Sequence, residues 1–139
     1  MSQEFQSFNT VEKESPEEKI NALLDIGDSI EFGYYKAGVL PQVVQSLINS
    51  LPKEKNLKVR RFIFRDISAA YTKKADLSHV EFEPVLNILP EAEPFFICNV
   101  LNLLSLTQNQ VYTPVISRYL SHPDREVRKE ALSALMHLS

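Results

Sequence analysis

The chain has 139 residues, 44% of them hydrophobic and 24% charged, a balance that excludes wholesale disorder and suffices for one folded domain. Its formal net charge is -3, and its one cysteine, Cys98, excludes an internal disulfide. Met1 to Phe5 lack the basic and apolar stretches of a secretory signal, and no apolar run approaches the ~20 residues that span a bilayer, so the expectation is a cytoplasmic protein without membrane contact.

Three glycines leave few of the tight turns that β-hairpins favour. Helices are expected instead. Ser15-Pro16-Glu17-Glu18 predicts the first, with Ser15 as cap, Pro16 at the first helical position and Glu18 completing a capping box. It is expected to run to about Glu31 and end near Gly33. A second helix is expected from about Val39 to before Pro52, burying Val43, Val44, Leu47 and Ile48. The third starts at the Asn56 cap and reaches about Thr72. A 100° step per residue puts Val59, Ile63, Ile67 and Ala70 on one side, Lys58, Arg61 and Arg65 on the other, and Phe62 at the margin.

A fourth helix is expected over about Val80 to Leu89, closed by Pro90. The fifth, about Ala92 to Leu106, is apolar nearly all round, with a narrow stripe of Asn99, Asn102 and Ser105, and is expected to be the most buried. The sixth covers about Gln110 to Leu120, and the seventh runs from the Asp124 cap almost to Ser139. Seven helices with no strand-like alternation predict an all-α chain, and short loops favour a right-handed αα-hairpin stack over an up-down bundle. Residues 1–139 are expected to form a single helical-repeat domain, with 1–14 a flexible or loosely packed segment.

Self-similarity supports the stack. Asn56 to Ile63 and Asp124 to Ala131 align at an offset of 68 residues, each with a capping side chain three residues before Val-Arg. At half that offset Ile97, Cys98 and Leu101 take the places of Ile63, Phe64 and Ile67, although Glu93-Pro94 replaces Val-Arg. The segment from His122 to Leu135, His-Pro-Asp-Arg-Glu-Val-Arg-Lys-Glu-Ala-Leu-Ser-Ala-Leu, resembles the first helix of a HEAT repeat. Asn56 to Ile67 is similar but looser, and residues 1–55 depart from the pattern. The resemblance implies a HEAT-like solenoid with a concave binding surface and no active site. Phe82 to Pro90 followed by Leu101-Asn102 is similar to small all-helical immunity proteins of bacterial polymorphic-toxin systems, which implies a protein that neutralises a toxin by occluding it.

Little in the chain points to catalysis. His79, His122 and His137 have no partner at metal-ligand spacing, and the glycines form no phosphate-binding loop, so neither metal nor cofactor is expected. Cys98 lies in an apolar run that would leave its thiol inert. The carboxylate pair Asp25/Asp28 falls at the i,i+3 spacing that solvated helix faces produce routinely, and neither it nor Glu81/Glu83 belongs to a recognisable catalytic group, so the expectation is no enzyme.

Charge is segregated instead: residues 1–31 carry a net -6, residues 32–74 a net +7 and residues 75–107 a net -5. Lys58, Arg61 and Arg65 with Phe62, near Lys53, Lys55, Lys73 and Lys74, make a candidate binding face. Tyr34 and Tyr35 add candidate anchors, unless they only staple the first hairpin, and Asn99 and Asn102 add a polar stripe. The expected function is binding of another protein, in its sharpest form a toxin domain. The alternative is a small nucleic-acid-binding repeat using the basic face at 57–72.

Overall fold

The first helix, α1 (Pro16–Glu31), begins as its capping box requires. Ser15 Oγ accepts the Glu18 backbone N–H at 3.2 Å, while the Glu18 carboxylate accepts the Ser15 N–H at 3.4 Å. It ends in a Schellman motif: the Gly33 N–H reaches Ile30 O, the Tyr34 N–H reaches Ser29 O, and Gly33 takes the left-handed φ of +69° this needs. These features come from a computed structural model, which describes residues 15–36, 38–73 and 75–138. Residues 1–14, expected to be loose, lie outside the described residues, as does Lys74 of the basic cluster.

Six further α-helices follow: α2 (Leu40–Ser50), α3 (Leu57–Ala70), α4 (Glu83–Leu86), α5 (Pro94–Leu106), α6 (Thr113–Ser117) and α7 (Arg125–Leu138). The described residues contain no strand, so the chain is all-α, and no helix is long and apolar enough to cross a membrane.

The starts of the fourth, fifth and sixth helices differ from expectation, and proline explains each. A fourth helix starting at Val80 would place Pro84 at its fifth position, where its ring clashes with the carbonyl four residues earlier; α4 therefore starts at Glu83 and is one turn long. Pro90 does not close that helix but lies in a separate 3-10 turn, Leu89–Glu91. A sixth helix from Gln110 would set the same trap with Pro114, and the segment splits into a 3-10 turn (Gln110–Tyr112), α6, and a second 3-10 turn (Arg118–Ser121). The third case is milder. Glu93, which precedes Pro94, is extended at ψ 161°, so α5 starts two residues late.

The described residues form two compact units that divide between Asn87 and Ile88. In the first, α3 packs most extensively on α1 and also on α2, and its predicted inner residues Val59, Ile63, Ile67 and Ala70 are fully buried. Gln45 of α2 grips the chain ahead of α4 through two amide hydrogen bonds, to Glu81 O at 2.9 Å and from Glu81 N at 2.7 Å. In the second unit, α7 packs most extensively on α5 and also on α6. Seven of the thirteen residues of α5 are buried, which α2 matches with six of eleven, so α5 is not alone as the most buried helix.

The two units also start their last long helices in the same way. Asn56 Oδ1 accepts the Val59 N–H at 3.0 Å, and Asp124 Oδ1 accepts the Val127 N–H at 3.1 Å. Two residues before each cap, a side chain accepts the cap's own N–H: Glu54 Oε2 from Asn56 at 2.8 Å, His122 Nδ1 from Asp124 at 3.0 Å. Val59 and Val127 are both fully buried. The shared ladder thus extends the 68-residue correspondence to the pair Glu54 and His122.

Candidate binding groove between α1 and α3

The outer face of α3 is as its periodicity predicts. Lys58, Arg61 and Arg65 are exposed and Phe62 is half-buried at their margin. Arg65, however, is not a free surface charge. Its guanidinium stands 4.7 Å over the Phe62 ring and hydrogen-bonds Asp66 Oδ1 through Nη2 at 3.2 Å and Nε at 3.4 Å. The ring face that was expected to stack on a base is therefore covered by a cation.

Asp66 lies inside. It is 1% exposed, with Oδ1 held by Arg65 and Oδ2 buried without a hydrogen-bond partner. Burial pushes its carboxyl up to about 7; the hydrogen bond and charge of Arg65 oppose this, and the neighbouring Asp28 adds to it. Gly27 of α1 makes room for it. A Cβ at that position would stand 2.8 Å from Asp66 Oδ1 and 3.0 Å from Arg65 Nη2.

Along this approach α1 and α3 leave a groove of about 430 Å³, lined by Leu24, Gly27, Asp28 and Glu31 from one side and by Arg65, Asp66, Ala69, Thr72 and Lys73 from the other. Lys73 Nζ donates to Glu31 O at 3.0 Å, setting a cation on the carbonyl end of α1. The groove is therefore mixed in charge, with three carboxylates, two cations already engaged with the protein, and the part-exposed apolar side chain of Leu24.

The aromatic cluster after α1 divides. Phe32 and Tyr34 are 63% and 61% exposed and stack on one another at 5.9 Å, so these two rings do not staple the hairpin. Tyr35 turns inward: its hydroxyl bonds Ser29, burial raises its pKa, and it lines a smaller hollow of about 240 Å³ with Ile30, Leu40 and Lys73. Asn99 and Asn102 belong to the second unit. Asn99 spends its amide on Phe95 O at 2.9 Å within its own helix, and Asn102 is exposed.

Among the described residues no group of three His, Cys, Asp or Glu is placed to hold a metal ion. Cys98 is only half-buried, and burial together with the carboxylates of Glu130, Asp124 and Glu126 pushes its thiol pKa up, away from nucleophilic use. Asp66 and Gly27 are not among the site residues expected from the sequence. The signal for Asp66 was present: seven residues after Val59 and three after Ile63, it falls on the apolar face of α3. No protein-family model, curated protein or solved structure matches this chain.

Proposed function

We propose that this chain is a non-catalytic protein-binding module whose α1–α3 groove and adjoining α3 face receive a segment of another protein. The observation that carries the reading is the groove's mixed lining. Asp28, Glu31 and Asp66 would repel a polyphosphate backbone, whereas a polypeptide offers both charges, backbone hydrogen bonds and apolar side chains. Arg65 and Phe62, needed for a phosphate contact and a base stack, are engaged with Asp66 and with each other. The exposed stacked pair Phe32 and Tyr34 near the end of α1 adds the rigid aromatic area that protein interfaces favour. The sharpest form of the reading, an immunity protein occluding a toxin, rests on the resemblance of residues 82–90 and 101–102.

The test uses Ala69→Tyr, which fills the groove, and Lys58→Glu with Arg61→Glu, which inverts the outer face while leaving Arg65 on Asp66. Pull-down from the source cell at about 0.15 M salt should recover one specific protein with the wild type and lose it with Ala69→Tyr. Salt-sensitive oligonucleotide binding, abolished by the Lys58→Glu/Arg61→Glu pair, would instead establish the nucleic-acid alternative.

A further inference from the structure

Among the described residues Asp66 is the only buried carboxylate lining the groove, and one of its two oxygens has no hydrogen-bond partner. Buried carboxylate oxygens are ordinarily matched by donors, and this one is closed off from solvent, so a donor entering the groove reaches it only as the side chains around it part. Its own neighbour cannot serve. Both hydrogen bonds from the Arg65 guanidinium to Asp66 go to Oδ1, and the guanidinium is held over the Phe62 ring. Lys73 is likewise committed to the Glu31 carbonyl. Asp28 and Glu31, exposed on the α1 wall of the same groove, add two more negative groups.

We infer that the groove holds a subsite for one cationic side chain, an arginine guanidinium or lysine ammonium of the partner, which enters between Asp28 and Glu31 and, as the groove opens around it, pairs with the buried Asp66 carboxylate. The inference rests on the protein-binding reading and names the chemistry of the residue that the partner must insert. A guanidinium or ammonium is an all-donor group, so it satisfies Oδ2 without needing an acceptor in return.

The seat is coupled to a proton. Asp66 titrates near 7 when the groove is empty, so a cation arriving below that pH must displace a proton, and one arriving above it need not. The titratable and charged groups around it are Asp28, Asp25 and Glu31 from α1, Arg65 and Lys73 from α3 and its end, and Tyr35 from the loop after α1. The other helix packed on α3, α2, carries no charged or titratable side chain. Burial pushes the Asp66 carboxyl up to about 7, so the pH dependence of cation binding should follow its ionisation.

The experiment is an amide-resolved NMR titration of the full chain with Nα-acetyl-arginine amide and Nα-acetyl-lysine amide, with Nα-acetyl-glutamine amide as the neutral control at equal ionic strength. The cationic probes should shift the amides of Gly27, Asp66 and Ala69. Their affinity should rise about tenfold from pH 6 to pH 8, as the ionised fraction of Asp66 goes from about a tenth to about nine-tenths. Asp66→Asn, which keeps the shape and should fold, should remove both the shifts and the pH dependence. Equal affinity at both pH values, equal shifts from the glutamine probe, or undiminished binding by Asp66→Asn would each overturn the subsite. The two readings fail separately. A recovered protein partner whose binding ignores Asp66→Asn sinks the subsite and leaves protein binding intact, whereas cationic probes that bind as described to a chain that recovers no protein do the reverse.

Discussion

Replacing Asp66 by Asn should make this protein more stable, and increasingly so as the pH rises. The carboxyl is 1% exposed and held near 7 in the folded chain, against an ordinary value of 3.8. Its folded pKa is raised, so the folded state holds the proton more tightly than the unfolded state. Stability from this group is then complete below about 3.8 and is lost as pH rises toward 7. A shift of about three units corresponds to about 4 kcal/mol at its full extent. Between pH 5 and pH 8 the part lost is about 2.5 kcal/mol, because the unfolded carboxyl is already largely ionised at pH 5. Asn is neutral throughout, so the Asp66→Asn advantage over wild type should grow by that amount across the interval. Any constant offset from the altered bond to Arg65 cancels in the comparison. Urea denaturation of both proteins at pH 5, 6, 7 and 8 measures it. A difference that stays flat with pH would mean that Asp66 is ionised throughout and that the Arg65 pair, not burial, controls it.

Three other perturbations probe the same framework by urea denaturation. Gly27→Ala should destabilise by about 1–2 kcal/mol although helix propensity alone favours Ala by about 1, because the new Cβ would press on Asp66 at 2.8 Å; a net gain would mean that Asp66 can swing away. Glu54→Ala should cost about 3 kcal/mol, since it strips the 3.2 Å partner from Lys19 and the acceptor from the Asn56 N–H together; a cost under about 1 kcal/mol would show the pair to be incidental. Leu101→Ala, in the buried seam of α5, should cost about 2–5 kcal/mol, and less than about 1 would move that helix to the surface.

The legible parts of this fold were those governed by short-range chemistry. Ser15, Gly33, Asn56 and Asp124 acted at the helix ends where local rules place them, because capping depends on residues three or four apart. The apolar side of α3 and the exposure of Lys58, Arg61 and Arg65 followed from periodicity alone. The misplaced starts of the fourth and sixth helices were also in principle legible, since Pro84 and Pro114 forbid the longer versions. What the sequence concealed was pairing at a distance. Nothing near Glu54 in the chain announces Lys19, 35 residues away, and nothing near Asp66 announces Gly27 on another helix. The site depends on such pairs, so its face could be read while its interior could not.

The contrast between the two buried acids of the first unit bears on whether the groove is a site or an accident of packing. Glu54 is 4% exposed, and both of its oxygens are used, one by Lys19 and one by the Asn56 N–H. It therefore ties α1 to the start of α3 and needs no further explanation. Asp66 is more deeply buried and only half matched, which costs stability that an Asn or an apolar residue would spare. Gly27, against which it rests, is itself a poor choice in the middle of a sixteen-residue helix, at about 1 kcal/mol relative to Ala. Two locally unfavourable residues, on different helices and in mutual contact, both line one groove. Sequences that otherwise agree with their fold depart from it mainly where function requires it, so the coincidence favours a binding role for the groove over a packing accident.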